Sequence, residues 1–498
     1  MKKTRWISLS LAGILVASVF LPYFAVMPTV ATIQEPIKIG VFAPFTTSGL
    51  AHYAPWTQQG FELGLIYATT EMGYNNENMT EAGRPYEIHY YDTKGDPTSV
   101  GALVTDAIEI DNIDILVGGT HSNLAAVIAP IAEEYEKLYF ITPAADSQLT
   151  ASLFNPYVFR LARNSWHDAY AGVTYAMDTL NYTKFGFLAI DYSFGYSGVD
   201  AMREVIESKG GVVNSFQYAP FGTTDFSPYI TNLITANFLF GIDYLFVVWA
   251  GSFVDIINDF WTYDIFSHMD AAGVVVDILS GTDLEESLTP PATIVGSRGL
   301  CVYGYELPNN TVNDWMVAQH DARNIAPGAP TYSYQVPELF TASAFATAQF
   351  LVAATNAVPD LDSGLMINYL ESGITIDCPK GATYLRPEDH QGLAPMFIAE
   401  AWNDTRSGSQ TENLIIAKLI DTLDRDTVAP PVASVWKGEP YVPGGFAPPT
   451  STTPTTTTPT TTPEPPPPPP PIDPILLLAL GGGALVVIVL IVVFARKQ

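Results

Sequence analysis

Short apolar runs alternate with amphipathic stretches of helical length along most of this chain. Runs at Ile37–Phe42, Glu87–Tyr91, Ile113–Val117 and Leu138–Ile141 predict strands. Between them, Trp56–Met72, Val100–Ile110 and Leu124–Tyr135 repeat apolar residues at helical spacing. The pattern then restarts with Phe185–Ile190, Val212–Tyr218, Tyr244–Trp249 and Val274–Leu279, again interleaved with helical stretches. Some runs are apolar without interruption, such as Tyr244-Leu245-Phe246-Val247-Val248-Trp249. A parallel sheet covered on both faces requires that. Strands alternating with helices imply crossover connections and an α/β fold, and two successive sets imply two doubly wound parallel-sheet lobes.

The two ends read differently. Lys2, Lys3 and Arg5 precede an apolar run from Ile7 to Phe24, and Thr29 and Ala31 supply small residues for cleavage. Residues 1–31 are therefore expected to be a signal peptide, with an uncleaved anchor as the alternative because the run is long and contains Pro22. At the other end, residues 440–473 form a Pro/Thr-rich stalk, 475–494 an uncharged apolar segment and 495–498 a short tail. About 20 apolar residues cross a hydrocarbon layer of ~30 Å as a helix. Arg496 and Lys497 just beyond it favour a cytoplasmic tail. The stalk's run of Pro and Thr from Pro448 to Pro471 should stay extended, reaching roughly 70 Å at ~3.1 Å per residue. The expected location is a cell membrane, spanned once, with the ectodomain outside. No Cys precedes Cys301, so a lipid anchor on an N-terminal Cys is excluded, and the Thr-rich stalk points to an archaeal surface.

Composition narrows the function. The chain has 498 residues, 48% of them hydrophobic, with 26 Tyr and 26 Phe, enough for two sizeable cores once the ends are removed. A formal charge of −29 argues against nucleic acid, whose phosphates would repel it. Cys301 and Cys378 face an oxidising compartment, where a single disulfide and two buried thiols are equally consistent readings. Glycosylation sequons begin at Asn78, Asn181, Asn309 and Asn403, a weak signal in a chain rich in Asn and Thr. Scattered His and Cys give no zinc spacing, and Asp92, Gly95 and Asp96 lack the spacing and downstream Glu of a calcium loop. No metal or cofactor is expected.

In doubly wound sheets, ligands bind outside the carboxyl ends of the strands. Polar, Gly-containing loops occupy those positions here: Pro44–Gly49, Gly118–Asn123, Thr142–Asp146, Asp191–Tyr196 and Ala250–Ser252. Backbone N–H groups at the helix starts that follow suit a carboxylate. His121 beside Ser122 suggests nucleophilic catalysis, but no Gly-x-Ser-x-Gly elbow surrounds this Ser. An enzyme is not expected.

At these loops the chain resembles the solute-binding proteins of branched-chain amino acid and amide ABC importers, the leucine-binding type. The resemblance runs through Ile39-Gly40-Val41-Phe42 with Ser48-Gly49, Tyr91-Asp92 with Gly95-Asp96-Pro97, and Gly118 to Ser122. It continues through Pro143-Ala144-Ala145, Phe159-Arg160, Phe194-Gly195, Thr224-Asp225-Phe226-Ser227 and Asp389-His390-Gln391. It implies a type I periplasmic binding protein clamp, two lobes joined by three crossings near Asn155, Gly281 and Pro387. Residues 36–155 and 281–386 would then form the first lobe, and 156–280 and 387–425 the second. By the same resemblance, Ser122, Ala144 and Ala145 cradle a ligand carboxylate and Asp255 takes an ammonium. Tyr53, Trp56 and Phe194 line the side-chain pocket, and Ser48, His121 and Ser252 sit on the same rim. Asp146 departs from the family's Thr, so a second carboxylate favours a cationic solute or shares a proton with Asp255. The implied partners are a small solute, most simply an amino acid, with an ABC permease and its ATPase. The alternatives are amides, urea or short peptides as ligand, or a sensing ectodomain that signals through a partner, which so short a tail disfavours.

Overall fold

The computed structural model of the chain describes residues 34–46, 51, 53–251, 253–270, 295–325, 337–404 and 414–444. In chain order come β1 (Ile37–Ala43), α1 (Tyr53–Thr70), β2 (Tyr86–Asp92), α2 (Val100–Glu109), β3 (Ile115–Gly118), α3 (Ser122–Glu134), β4 (Tyr139–Ile141) and β5 (Val158–Arg160). There follow α4 (Ser165–Thr174), β6 (Lys184–Ile190), α5 (Ser193–Ser208), β7 (Val212–Ala219), α6 (Ser227–Phe240), β8 (Tyr244–Val248) and α7 (Val254–Thr262). Next are β9 (Arg298–Cys301), α8 (Thr311–Ile325), α9 (Leu339–Ala357), α10 (Ser363–Leu370), β10 (Thr375–Cys378), β11 (Gly381–Arg386) and β12 (Gln391–Leu393). The series closes with β13 (Met396–Asp404), β14 (Leu414–Leu423) and the two-residue strands β15 (Val435–Trp436) and β16 (Glu439–Pro440). The expected strands recur within a residue or two, except that Val274–Leu279 lies outside the described residues.

The first sheet runs β2-β1-β3-β4-β5-β12-β11-β10, parallel from β2 to β12 and antiparallel beyond. Its order reverses between β1 and β3, so the loops after those strands border the crevice where such sheets bind ligands. Every residue of β3 and β4 is buried, which explains their unbroken apolar sequence. The second lobe is built from two smaller sheets. One, β7-β6-β8, is parallel; the other, β14-β13-β9, is antiparallel, and one apolar core joins them through Leu188, Val247, Cys301, Phe397 and Ala399. The antiparallel sheet was not legible in the pattern, because β9 is short and its pairing with β13 is non-local.

Strand pairing moves every expected crossing toward the C-terminus. β5 pairs with β4 in the first sheet, so the first crossing follows Arg160 rather than Asn155. β9 pairs with β13, so the second lies beyond Cys301 rather than near Gly281. β12 pairs with β5, so the third falls at Ala394–Pro395 rather than Pro387. A fourth crossing was not anticipated. After β14 the chain returns to the first lobe, where Val435 N–H donates to Ala151 O at 3.1 Å and Tyr441 packs on Phe154 at 4.6 Å. Residues 440–444, expected to begin the stalk, therefore belong to the folded body.

Neither cysteine is in a disulfide, and both are buried. Cys301 sits in the core of the second lobe and Cys378 in that of the first, so they do not form a disulfide. Burial pushes the Cys378 thiol up to about 12, with a partly offsetting hydrogen bond to Thr383. Among the described residues no helix is long and apolar enough to cross a membrane, and the apolar segment 475–494 lies outside them.

The first lobe depends on a helix pair. α9 is buried almost all round, as a helix hydrophobic on every side must be. A Glu338 capping box opens it, the carboxylate accepting from the amides of Phe340 and Thr341. α1 lies against it at backbone distance. A Cβ on Gly60 would stand 2.2 Å from Thr341 O, and one on Gly64 would stand 2.5 Å from Phe345 O. Both obstacles are main-chain atoms that cannot swing away. Gly60→Ala is therefore expected to destabilise the lobe by about 1–3 kcal/mol through forced separation of the helices. Gly101→Ala, whose new methyl meets Val127 Cγ1 at 3.5 Å and Ile131 Cδ1 at 3.7 Å in ordinary van der Waals contact, should be neutral or mildly stabilising. Thermal melts of both variants check the contrast, and equal midpoints would refute it.

Candidate functional site

The rim of the first lobe is set by polar anchors. Asp92, at the end of β2, reaches across to the loop after β1, where its carboxylate accepts from the amides of Phe45 (2.9 Å) and Thr46 (3.3 Å) and from the Thr46 hydroxyl. It also accepts from Lys94 N–H at 3.0 Å. Gly118 ends β3 at φ +121, where a Cβ would sit 2.2 Å from Phe42 O, so the chain turns into α3 only with glycine there.

A second anchor holds the next loop. Arg160, wholly buried at the end of β5, donates from Nη1 to Ala144 O (3.2 Å) and Asp146 O (2.7 Å). Its Nη2 donates to Thr150 Oγ1 at 2.7 Å and its Nε to Gln391 Oε1 at 2.8 Å. Burial lowers its pKa to about 10 while the nearby Asp146 and Asp389 carboxylates oppose the drop, so it stays charged at neutral pH. Gln391 in turn donates to Ala162 O (2.7 Å) and Gly392 O (2.8 Å), tying the first crossing to β12. Two segments far apart in sequence, Phe159-Arg160 and Asp389–Gln391, thus meet beneath the rim.

The expected site residues separate into groups. Ser122 is buried in the first turn of α3, and its hydroxyl accepts from Asp146 N–H at 3.3 Å. The helix N-cap is His121 rather than Ser122. Ala144 and Ala145 are buried beside it, with their carbonyls engaged by Arg160 and by Ser165. Asp146 is 6% exposed and accepts from Gln148 N–H at 2.9 Å, capping the short 3-10 turn Ser147–Thr150. Trp56 is buried in the first turn of α1, and Phe194 lies in the first turn of α5, packed partly on the second-lobe core. Asp255 occupies the first turn of α7, and its carboxylate has no partner among the described residues. Ser48 and Ser252 lie outside the described residues.

The lobes touch across the cleft at several points. Tyr53 stacks on Phe340 at 4.2 Å and bonds to Gly251, donating to its carbonyl (3.2 Å) and accepting from its amide (3.0 Å). His121 lies flat against Tyr192 of the second lobe, 4.1 Å and 15° apart, with Phe221 edge-on at 6.3 Å. Ser147 N–H donates to Ser197 Oγ on α5 at 3.0 Å. At the back of the cleft Arg163 bridges the lobes: it donates to Pro143 O (3.2 Å) and pairs with Asp168 of α4 (3.2 Å). Burial raises the pKa of the Tyr192 phenol, with Tyr53 adding to the rise and Arg163 opposing it.

Several polar atoms around this junction are buried without a partner among the described residues: Thr120 Oγ1, His121 Nδ1, Thr142 Oγ1, Ser147 Oγ and Ser193 Oγ. Such atoms cost stability unless something satisfies them. They gather at the starts of α3 and α5, whose leading amides a helix leaves without internal partners. Sequence reasoning had reached the loops but missed Tyr192, Phe221, Thr120, Ser147, Ser193 and Arg163. The first five have no distinctive local motif, and Arg163 is recognisable only once the crossing is known to follow Arg160. Trp249 packs edge-on against Phe226 at 5.0 Å as core, as its place in an apolar strand implied. Among the described residues no group of His, Cys, Asp or Glu could hold a metal ion.

A two-lobed α/β body with a polar, amide-rich rim between its sheets defines a solute-binding clamp. The chain belongs to the periplasmic binding protein family, whose sequence profile matches residues 36–407. An ABC-type branched-chain amino acid transporter protein from Rhodopseudomonas palustris is 26% identical over 80% of this chain and all of its own, with a TM-score of 0.63. A solute-binding protein from R. palustris, solved with 4-hydroxybenzoate, is 19% identical over 79% of this chain and 98% of its own, at 0.65. An amino acid ABC transporter substrate-binding protein from Pseudomonas fluorescens is 17% identical over 81% of this chain and all of its own, also at 0.65. No curated protein matches the sequence.

The His121 stack makes closure sensitive to acid. Burial lowers its pKa from 6.5 to about 4, so the imidazole is neutral in the closed clamp and charges more readily once opened to water. The open form then binds the extra proton, and closure loses stability as pH falls from about 6.5 toward about 4. Solute affinity should weaken over that window, and His121→Gln should flatten that part of the profile. Calorimetric titrations at several pH values test this; an identical acid slope in the variant would remove His121 as the cause.

Proposed function

We propose that this protein is the membrane-tethered receptor of an ABC importer and that its solute is an amino acid held between the lobes. The carrying observation is the set of unpartnered buried polar atoms at the start of α3, Thr120 Oγ1 and His121 Nδ1 beside buried Ser122. A ligand carboxylate there would meet helix amides and a favourable dipole end. Ala144 and Ala145 would complete the same cradle, and Ser48 is assigned to it by the family resemblance alone. Asp255 is the ammonium acceptor of this reading. The rim carboxylates Asp92, Asp146, Asp168, Asp191 and Asp225 already have partners, whereas Asp255 has none among the described residues. Tyr53, Trp56, Tyr192, Phe194 and Ser252 would surround the side chain. The signal peptide, Pro/Thr stalk and apolar segment 475–494 support attachment to an archaeal cell membrane with the clamp outside, delivering to a permease and its ATPase.

A second reading has a specific observation behind it. Asp146 serves as a turn cap, and Arg163 brings a cation to the back of the cleft, so a cationic or polyamine-like solute loses support. An aromatic carboxylic acid, as bound by the 4-hydroxybenzoate relative, would use the same cradle without needing Asp255.

A thermal-shift screen of the protein, unfolded and refolded to strip carried-over solute, separates the two. Solute at 100 times its dissociation constant adds ~2.7 kcal/mol of stability. A shift with amino acids, lost in Asp255→Ala at a cost of ~2–5 kcal/mol in affinity, supports the first reading. A shift with benzoates that survives Asp255→Ala supports the second. Silence to amino acids, amides and aromatic acids alike would overturn the transport reading in favour of a sensor.

A further inference from the structure

The segment after β14 does more than end the fold. It crosses back to the first lobe and is fastened there along its length. Arg386 Nη1 donates to Pro430 O at 2.8 Å, and the Ser434 hydroxyl donates to Glu388 O. Trp436 Nε1 donates to Glu133 Oε1 at 2.8 Å. The final fastening is the Glu371 carboxylate, which takes the Tyr441 hydroxyl on one oxygen and the Gly444 amide, at 2.5 Å, on the other. His390 Nε2 lies 2.9 Å from the same carboxylate, and its ring stacks on Phe159 at 4.2 Å. Burial alone would push the Glu371 carboxyl up, but the hydrogen bonds from His390, Tyr441 and Gly444 outweigh it and hold its pKa below the usual value.

The position of this fastening matters. His390 Nδ1 lies 2.9 Å from Val158 O, and Val158 opens β5, whose other end, Arg160, supports the cleft rim. Glu133 lies at the end of α3, whose start is the cleft cradle. Both markers put the fastening at the end of the first lobe remote from the cleft. Gly444 is the last described residue before the Pro/Thr-rich run that leads to the apolar segment.

We infer that Glu371, Tyr441 and Gly444 form a latch that fixes the outgoing chain to the far pole of the first lobe, so that the anchored receptor is held through that lobe and the second lobe is the jaw free to swing. The anchoring half rests on the tethered reading given above; the latch itself does not. It would keep slack in the stalk from reaching the folded body and would give the clamp one defined attachment.

Two measurements test the halves separately. Hydrogen exchange on the full chain reads the latch. Glu371→Ala should speed exchange of the Gly444 amide at least tenfold while leaving the β3 amides unchanged. Tyr441→Phe, which spares the His390–Glu371 pair, should produce a smaller rise at the same amide. Unchanged exchange in both variants would overturn the latch. Energy transfer from a donor to labelled lipid, with the full chain in nanodiscs, reads the anchoring. The donor sits at Glu134→Cys, exposed at the end of α3, or at Phe238→Cys, which is 88% exposed on the second lobe. Higher transfer at position 134, reduced when Glu371→Ala is added, supports anchoring through the first lobe. Equal transfer at both positions would overturn it. A full chain that does not associate with nanodiscs would refute the tethered reading, and the anchoring with it, while the exchange result still decides the latch.

Discussion

The buried guanidinium of Arg160 organises this molecule. It is charged, has no contact with water, and meets acceptors from three segments: the loop after β4, the 3-10 turn and β12. A buried charge is tolerable only when its donors are satisfied, so the cost of desolvation is converted into a demand for one geometry. The atoms it holds are the carbonyls of Ala144 and Asp146, and their loop is what Ser122 touches. The same guanidinium fixes Gln391, and through it the first crossing. One interaction therefore sets both the cradle and the base of the hinge.

Around that centre the molecule uses two kinds of contact. Within the lobes, contacts are dry and close: α1 against α9 at glycine distance, and β3 and β4 without an exposed residue. Between the lobes they are few, mostly aromatic or polar: Tyr53 with Gly251, His121 with Tyr192, and Ser147 with Ser197. A clamp needs this asymmetry. Its jaws must remain rigid while the junction between them exchanges one modest set of contacts for another. Unpartnered hydroxyls at the helix starts fit the same logic, because they gain most from a ligand that closes over them.

The resemblance that pointed to this family was distributed over pieces that were weak singly, and the structure shows why they travel together. Asp92 positions the loop after β1; Gly118 allows the turn into α3; Arg160 and Gln391 bind each other. Each is a support for the rim rather than a ligand contact. Such supports are readable in sequence because few residue types fit each of them. Residues that would face a solute are less constrained in type, which is why Tyr192, Phe221 and Arg163 passed unnoticed.

By itself the sequence determined the α/β class, the two lobes, the first four strands of the first sheet and the loops that border the cleft. Those follow from local periodicity and from the rule that parallel strands present their carboxyl ends to a ligand. Only the tertiary structure decided where the chain changes lobe, because a crossing is defined by which strand pairs with which, and β5, β9 and β12 find partners far away in sequence. It also decided that Asp146 caps a turn, that Cys301 and Cys378 lie in different cores, and that residues 424–444 return to the first lobe. None of these leaves a periodic trace. Each depends on a contact between segments that share no local pattern, and such contacts exist only once the chain has folded.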